Sequence, residues 1–190
     1  MKTMEKLFYD FEFTRFRQDT NPISVGIVSE NEEKAFYAEF TDYNPQLVDD
    51  WLRENILCHL QLIQKPDPYF ERKAGVTTLK GSVKFIVTSP GGLADWLATW
   101  ESRIQFASFG SGYDWVLLRE LFRQCGLPLP AQVSHWNYDV STLFQEQGYD
   151  LEKNEYIKEH FLGLQDVSQK HHALFDAHVA RQIYLKLKAS

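Results

Sequence analysis

The feature that most constrains this chain is a short apolar run near the N-terminus that contains two acids. Residues 7–13 read Leu-Phe-Tyr-Asp-Phe-Glu-Phe, a composition that favours a buried strand. A strand turns residues i and i+2 to the same face, so Asp10 and Glu12 stand side by side, with Phe8 on that face. Neighbouring carboxylates on a buried strand repel each other and lose hydration unless a cation lies between them. The run therefore predicts a divalent metal site, and the alternative is an edge strand with two solvated acids.

The composition indicates one globular domain over residues 1–190. Of the 190 residues, 44% are hydrophobic and 24% are charged, which suits a chain that buries a continuous core. No apolar run approaches the roughly 20 residues of a membrane helix, and the N-terminus lacks the apolar segment of a signal peptide. We therefore expect a cytoplasmic protein with no membrane contact. Cys58 and Cys125 lack metal-type spacing and are expected to be buried free thiols.

The net charge limits the classes of nucleic-acid protein that fit. A formal charge of −6 argues against a protein that coats DNA without regard to sequence. It does not exclude a metal-dependent nuclease, because divalent cations held by acids reverse the local field at their site.

Signs of two more strands and a helix follow the acidic strand. Apolar runs at 22–28 and 34–40, with a polar turn between them, predict an antiparallel meander with the first strand. Apolar residues at helical spacing predict a helix from Pro45 to about His59; they are Leu47, Val48, Trp51, Leu52 and Ile56. Residues 60–92 are the least periodic part, with a short strand expected at 85–87. Their basic excess suggests a segment that reaches over the substrate or a partner subunit, and an ordinary surface loop is the alternative.

Asp114 opens the apolar stripe of a later helix. A helix is expected at 93–101 and a strand at 104–109, and a glycine-containing turn then leads to a helix that runs from about Asp114 to Cys125. Leucines at spacings of three and four follow Asp114 on the same face, so this acid points towards the core. An N-cap explains an acid at a helix start equally well. Asp139, further along, is interpreted as a cap with no catalytic role.

The last predicted helix carries a further acid. Residues 171–177 read His-His-Ala-Leu-Phe-Asp-Ala, and Asp176 shares a helix face with apolar residues. Those residues are Ala180, Ile183 and Leu187. His171 precedes this helix and can approach a site near Asp176, whereas His172 is interpreted as a surface residue or a satisfied core residue.

The four acids share a property that their separate explanations do not predict. Asp10, Glu12, Asp114 and Asp176 each point to the core side of their own element. Four converging acids need a cation, and ligation by carboxylates alone favours Mg²⁺ or Mn²⁺ over zinc.

In their order along the chain, these motifs resemble the DEDDh exonuclease superfamily, the group of RNase T, oligoribonuclease and the proofreading subunit of DNA polymerase III. The resemblance rests on Asp-Phe-Glu at 10–12, Tyr-Asp at 113–114 and the stretch at 171–177, which is the most specific of the three. It spans almost the whole chain and is greatest for the small RNase T-like 3′-5′ exoribonucleases. Many members have Thr after the Glu and Asn four residues before the second-motif Asp, where this chain has Phe13 and Gly110.

The resemblance implies an RNase H-like α/β fold, a mixed sheet with helices on both faces. It also implies two Mg²⁺ ions, replaceable by Mn²⁺, about 4 Å apart. Asp10 would bridge both ions, Glu12 and Asp176 would complete one site, and Asp114 would serve the other. His171 would be the general base that deprotonates the attacking water, and the product would be a nucleoside 5′-monophosphate.

The implied partner is single-stranded nucleic acid with a free 3′ end, and the resemblance alone favours RNA over DNA. Aromatic residues near the acids are candidates for stacking on bases, although each could equally belong to the core; they are Phe11, Phe13, Tyr113 and Trp115. A homodimer is expected from related enzymes. Two other functions stay open: a catalytically weak nucleic-acid-binding domain of the same fold, and a phosphodiesterase for short oligonucleotides or dinucleotides.

Overall fold

Seven strands form one mixed sheet in the structure, a computed structural model that describes residues 4–151, 157–164 and 168–189. The strands are β1 (Glu5–Phe13), β2 (Pro22–Ser29), β3 (Ala35–Phe40), β4 (Tyr69–Lys73), β5 (Val76–Gly81), β6 (Ile104–Ser108) and β7 (Tyr138–Asp139). Their order across the sheet is β4-β5-β3-β2-β1-β6-β7. The first three strands pair antiparallel, as the sequence predicts, and β6 lies parallel to β1 on its other side.

Seven α-helices accompany this sheet within the described residues. They are α1 (Asp50–Asn55), α2 (Val83–Thr88), α3 (Leu93–Ala98), α4 (Gly112–Gln124), α5 (Val140–Glu146), α6 (Ile157–Leu162) and α7 (Ala173–Ala189). Helices α2, α3 and α4 contribute to one buried cluster and α5 and α7 to another, so the sheet is covered on both faces. This is the RNase H-like arrangement expected from the sequence.

The alternation of side chains along β1 determines the face of the sheet on which its two acids lie. Leu7, Tyr9 and Phe11 belong to the cluster on the α4 side, whereas Phe8 belongs to the cluster on the α7 side. Since successive strand residues face opposite ways, Asp10 and Glu12 lie on the same face as Phe8. Strand β1 therefore presents both carboxylates towards the helix that carries the last sequence motif.

The segment 45–59 is not the single helix that the sequence predicts. It contains a 3₁₀ turn at Pro45–Leu47, then α1, then a second 3₁₀ turn at Leu57–His59. The Asp49 carboxylate accepts a hydrogen bond from the Leu52 N–H and so starts a new helix inside the periodic stretch.

The segment 60–92 differs most from expectation. Residues 85–87 lie in α2 and not in a strand, because the Ser82 hydroxyl caps the Phe85 N–H and begins a helix there. Residues 69–81 form an antiparallel hairpin of β4 and β5 at the edge of the sheet. The exposed β4 carries mainly charged residues, so it lacks the apolar alternation by which strands are recognised.

Two expectations drawn from the composition can be compared with the structure. Cys58, in the 3₁₀ turn after α1, is exposed, and Cys125, at the C-terminal end of α4, is half-buried. The prediction of two buried thiols is therefore wrong. Over the described ranges, no helix combines the length and the apolar character that crossing a membrane would require.

Candidate active site

Acids from three elements meet at one cavity. Asp10 and Glu12 come from β1, Asp114 from the first turn of α4 and Asp176 from the first turn of α7. All four line a cavity of about 320 Å³, together with His171. The structure thus brings together the five residues that the sequence nominates for chemistry.

The inner part of this cavity has the spacing of a metal site. Ligand atoms of Glu12, His171 and Asp176 lie within 4.8 Å of one another. The side chains of Glu12, Asp114 and Asp176 are buried, each at most 7% exposed. Buried carboxylate oxygens are the donors that Mg²⁺ and Mn²⁺ prefer in proteins, so the donor set fits a hard divalent cation.

Gly26 on β2 sets how closely α7 approaches these acids. Gly26 pairs with Asp10 across the two strands. A methyl group at Gly26 would overlap the backbone of Leu174 and Ala173 in the first turn of α7. The missing side chain therefore lets the start of the helix, the turn that carries Asp176, lie directly on the sheet.

The backbone of His171 is fixed by the acid that it accompanies. His171 has a φ of 66°, an uncommon value for a residue with a side chain. Its backbone N–H donates to an Asp176 carboxylate oxygen at 2.9 Å. The Trp51 ring meets the His171 ring edge to face at 5.4 Å between centroids. Asp176 and Trp51 thus hold His171 at the cavity wall.

His172 occupies a different environment from its neighbour. It is 6% exposed, and its ring stacks on Tyr37 at 4.7 Å between centroids. Its Nδ1 accepts a hydrogen bond from the Phe175 N–H at 3.4 Å. Burial lowers the pKa of His172, and His59 lowers it further. His172 is thus a core residue, but not the fully satisfied one that the sequence predicts, because its buried Nε2 has no hydrogen-bond partner among the described residues.

Burial changes the acidity of the cavity acids. Loss of hydration is the main cause that raises the pKa of Asp10 well above its usual value, and the neighbouring carboxylates raise it further. Burial, then Asp176 and Asp114, raise the pKa of Glu12 to about 8. Burial also raises the pKa of Asp114 to about 7. Near neutral pH these acids retain protons unless cations compensate their charge, which is how a site built for divalent ions behaves.

The aromatic residues nominated for base stacking separate into two groups. Phe13 and Tyr113 line the cavity and stack on each other at 5.5 Å with an interplanar angle of 15°. Phe11 reaches the cavity wall, but it is 3% exposed and belongs to the core cluster. Trp115 packs on the core and lines a separate cavity along the outer side of α4.

Comparison with known proteins decides the family. A sequence profile of the 3′-5′ exoribonuclease Rv2179c-like domain matches residues 5–187. The chain belongs to this family. As a DEDDh-type 3′-5′ exonuclease it is an enzyme of a metal-dependent class, in agreement with the acidic cluster of its cavity. No curated protein sequence is similar enough to the chain to count as a match.

Solved structures give the same fold for this Rv2179c-like domain. The nuclease domain of 3′hExo, a DEDDh family member solved with rAMP, superposes with a TM-score of 0.65 at 12% identity, covering 97% of this chain and 92% of that one. Exonuclease I of E. coli, solved with a dT13 oligonucleotide, gives a TM-score of 0.57 at 12% identity, covering 98% of this chain and 40% of that one. At such low identity, these matches establish the RNase H-like fold.

Three further residues line this cavity, and the sequence patterns did not identify them as site residues. Phe16, 76% exposed, meets both Phe13 and Tyr113 edge to face. Trp51 counts as apolar helix face in the sequence pattern, yet it is 52% exposed and lines the cavity. Phe16 could have been identified from the sequence, because it is an aromatic residue within the polar loop after β1. Nothing local distinguishes Lys158, which also lines the cavity.

Proposed function

We propose that the protein is a 3′-5′ exoribonuclease that releases nucleoside 5′-monophosphates from single-stranded RNA by a two-metal-ion reaction. The observation that carries this proposal is the convergence of four carboxylates and one imidazole on a single small cavity. A binding domain has no need of acids whose burial raises their pKa values. A hydrolase that holds cations against a phosphate does need them.

The four carboxylates would hold two Mg²⁺ ions, and Mn²⁺ could replace them. Asp10 would contact both ions, Glu12 and Asp176 would complete one site, and Asp114 would serve the other. When bound, such ions supply Lewis-acid stabilisation of the phosphate and lower the pKa of attacking water. The carboxylate oxygens of these four acids support this choice of ion.

His171 would be the general base. Its ring lines the cavity and lies beside Glu12 and Asp176. The imidazole would take a proton from the water that attacks phosphorus, and the bond from phosphorus to the 3′ oxygen of the preceding nucleotide would break. The hydrogen bond from the His171 N–H to Asp176 holds the residue in place for this role.

The aromatic walls of the cavity suit an unstacked terminal nucleotide. Phe13 and Tyr113 form one wall with Phe16 at its rim, and Trp51 stands beside His171. Aromatic faces bind bases of single strands with little regard to sequence, because every base has a π-face. A cavity of about 320 Å³ is large enough for one nucleotide, and we expect cleavage to start at the free 3′ end.

The first experiment is digestion of a 5′-labelled single-stranded RNA and of its DNA counterpart with Mg²⁺ or Mn²⁺. The variants are Asp10→Ala and His171→Ala, with His178→Ala as the matched control. His178 lies on α7, the helix that follows His171, and its ring contacts Glu32 at 3.1 Å. We expect a ladder that shortens from the 3′ end, faster for RNA, and that EDTA and Asp10→Ala abolish.

His171→Ala should cleave about 10²–10⁴-fold more slowly, because it lacks the general base. The cleavage rate of His178→Ala should stay near that of the wild type. Internal cleavage products, or unchanged activity of Asp10→Ala, would refute the proposal. Binding of RNA without any cleavage would favour a binding domain. Activity that disappears beyond a few nucleotides of length would favour a phosphodiesterase for short oligonucleotides.

A further inference from the structure

We propose that Lys158 on α6 binds the phosphate of the substrate and of the nucleoside monophosphate product. This inference rests on the proposed function, because it places a phosphodiester in the cavity of the four acids. It concerns a residue outside the DEDDh motifs that the resemblance identifies. Its support comes from the position of the ammonium group, the packing of α6 and the charge balance of the cavity.

The ammonium group of Lys158 lies at the cavity. Lys158 lines the same cavity as Asp10, Glu12 and Asp114. Its Nζ is 5.3 Å from the ring centroid of Phe109, which is itself a lining residue. A cation over an aromatic face is held by the ring quadrupole, so the side chain is directed along the cavity wall.

The packing of α6 explains how a residue remote in sequence reaches the acids. Phe161, three residues after Lys158, meets Phe144 edge to face at 5.0 Å and Tyr149 at 4.8 Å. Lys186 of α7 donates from its Nζ to the Phe161 carbonyl oxygen. Residues i and i+3 are neighbours on a helix surface, so this anchor fixes where Lys158 stands.

The field of Lys158 reaches three of the acids. Its charge lowers the pKa values of Asp10, Glu12 and Asp114 against the larger effect of burial. It is the sole lysine or arginine among those cavity-lining residues that the structure describes. Among the described residues that line the cavity, Lys158 therefore supplies the lysine or arginine charge that a ligand meets.

The charge balance of the cavity indicates what the Lys158 ammonium group would contact. Four carboxylates that hold two divalent cations have no net charge, whereas a phosphodiester brings one negative charge and its transition state brings more. Lys158 then supplies the additional positive charge next to the phosphate. An ammonium group contacts phosphate oxygens by charge-assisted hydrogen bonds, which are about twice as strong as neutral ones.

The test separates phosphate from base by comparing AMP with adenosine. Affinities of both for wild type, Lys158→Gln and Lys158→Arg are measured by calorimetry with Mg²⁺ present. We expect Lys158→Gln to weaken AMP binding about 10-fold or more and to leave adenosine binding within about 2-fold. Lys158→Arg should restore most of the AMP affinity, because it keeps the charge and the donors.

Matched controls identify a structural effect. Lys188→Gln removes one charge at the exposed end of α7 and should leave both affinities unchanged. Thermal unfolding of each variant with EDTA shows whether Lys158→Gln is folded. In RNA binding at several salt concentrations, Lys158→Gln should reduce the slope of log affinity against log salt by about 0.7, the value for one phosphate contact on a single strand.

Two results would overturn the assignment. One is an equal loss of AMP and adenosine affinity in a folded Lys158→Gln protein, which would mean that the lysine only shapes the cavity. The other is unchanged AMP affinity together with altered Mn²⁺ affinity, which would make Lys158 a partner of the acids alone. If wild type bound AMP through Lys158 but did not cleave RNA, the proposed function would fail while this inference held.

Discussion

At residue 26 the chain carries no side chain, and this absence lets the first turn of α7 lie directly on the sheet beside the candidate active site. Gly26 lies opposite Asp10 on the neighbouring strand and directly under the first turn of α7. The same turn leads to Asp176, so the distance between β2 and α7 also sets the distance between the acids of β1 and the acid of α7. A single position thus links backbone packing to the geometry of the acidic cluster.

Gly26→Ala should damage both stability and activity. The added methyl group overlaps helix backbone, which cannot rotate away as a side chain can, so α7 must shift. We expect a loss of about 1–3 kcal/mol in the free energy of unfolding and a fall in nuclease rate of at least about 10-fold. Urea unfolding and the RNA digestion assay measure the two effects.

Gly112→Ala is the matched control for this prediction. Gly112 begins α4 and needs no positive φ, and a methyl group added there would meet no neighbouring element within 4 Å. The stability of this variant should be unchanged or slightly raised, because alanine restricts the unfolded chain. Equal effects of the two substitutions would disprove the role given to Gly26.

At the junction of β7 and α5, the carboxylate of Asp139 has a structural role as a helix cap. The Asp139 carboxylate accepts hydrogen bonds from the Ser141 N–H at 3.0 Å and the Ser141 hydroxyl at 2.7 Å. It also accepts from the Gly110 N–H at 3.2 Å, and Gly110 lines the active-site cavity. The cap predicted from the sequence is confirmed, and it additionally ties α5 to the turn before α4.

Asp139→Ala should lower stability while metal binding persists. Loss of an N-cap costs about 0.5–2 kcal/mol, which in a chain of this length lowers Tm by about 1–8 °C. Calorimetric unfolding measures the loss, and titration with Mn²⁺ measures the metal affinity. Asp139→Asn keeps a capping oxygen and should recover most of the stability. A Mn²⁺ affinity that collapses in Asp139→Ala would show that this acid belongs to the metal site.

For the whole molecule, the concentration of buried acids couples folding to pH. In the folded, metal-free protein the pKa of Glu12 is about 8, against 4.5 for an ordinary glutamate. The pKa of Asp114 is about 7, against 3.8. At pH values between the ordinary pKa and the folded pKa of each acid, the folded chain binds more protons than the unfolded chain. The stability that these acids contribute is therefore complete below about pH 4 and is lost as pH rises through about 7 to 8.

The Tm of the metal-free protein should fall between about pH 5.5 and about pH 8.5. Each kcal/mol lost lowers Tm by about 2–4 °C at this chain length, so a fall of several degrees is expected. Mg²⁺ or Mn²⁺ should raise Tm more at the upper pH, where the carboxylates are ionised. Calorimetry with EDTA and with each metal measures both effects.

Glu12→Gln serves as the control for this pH dependence. It removes one of the titrating groups and should reduce the decline of Tm with pH. A Tm that is constant or rises over this range with EDTA would contradict the coupling, because it would mean that the folded acids titrate at ordinary pKa values.

The sequence by itself determined the local patterns and, through them, the core-facing positions of the four acids. The role expected for His171 came from the resemblance to the exonuclease superfamily. The alternation of β1 placed Asp10 and Glu12 on one face, and the apolar stripes of α4 and α7 carried Asp114 and Asp176 towards the core. These patterns are readable because strand and helix periods are fixed by backbone geometry. The antiparallel meander and the cap at Asp139 follow from equally local rules.

Only the tertiary structure decided which residues surround the acids. Trp51 shares the periodicity of buried helix residues, yet α1 leaves it exposed at the cavity, while Trp115 of α4 faces a different cavity. The approach of α7 to Gly26 and the delivery of Lys158 by α6 depend on contacts between segments far apart in sequence. Periodicity fixes the face of an element on which a residue lies, and packing between elements fixes what that face meets.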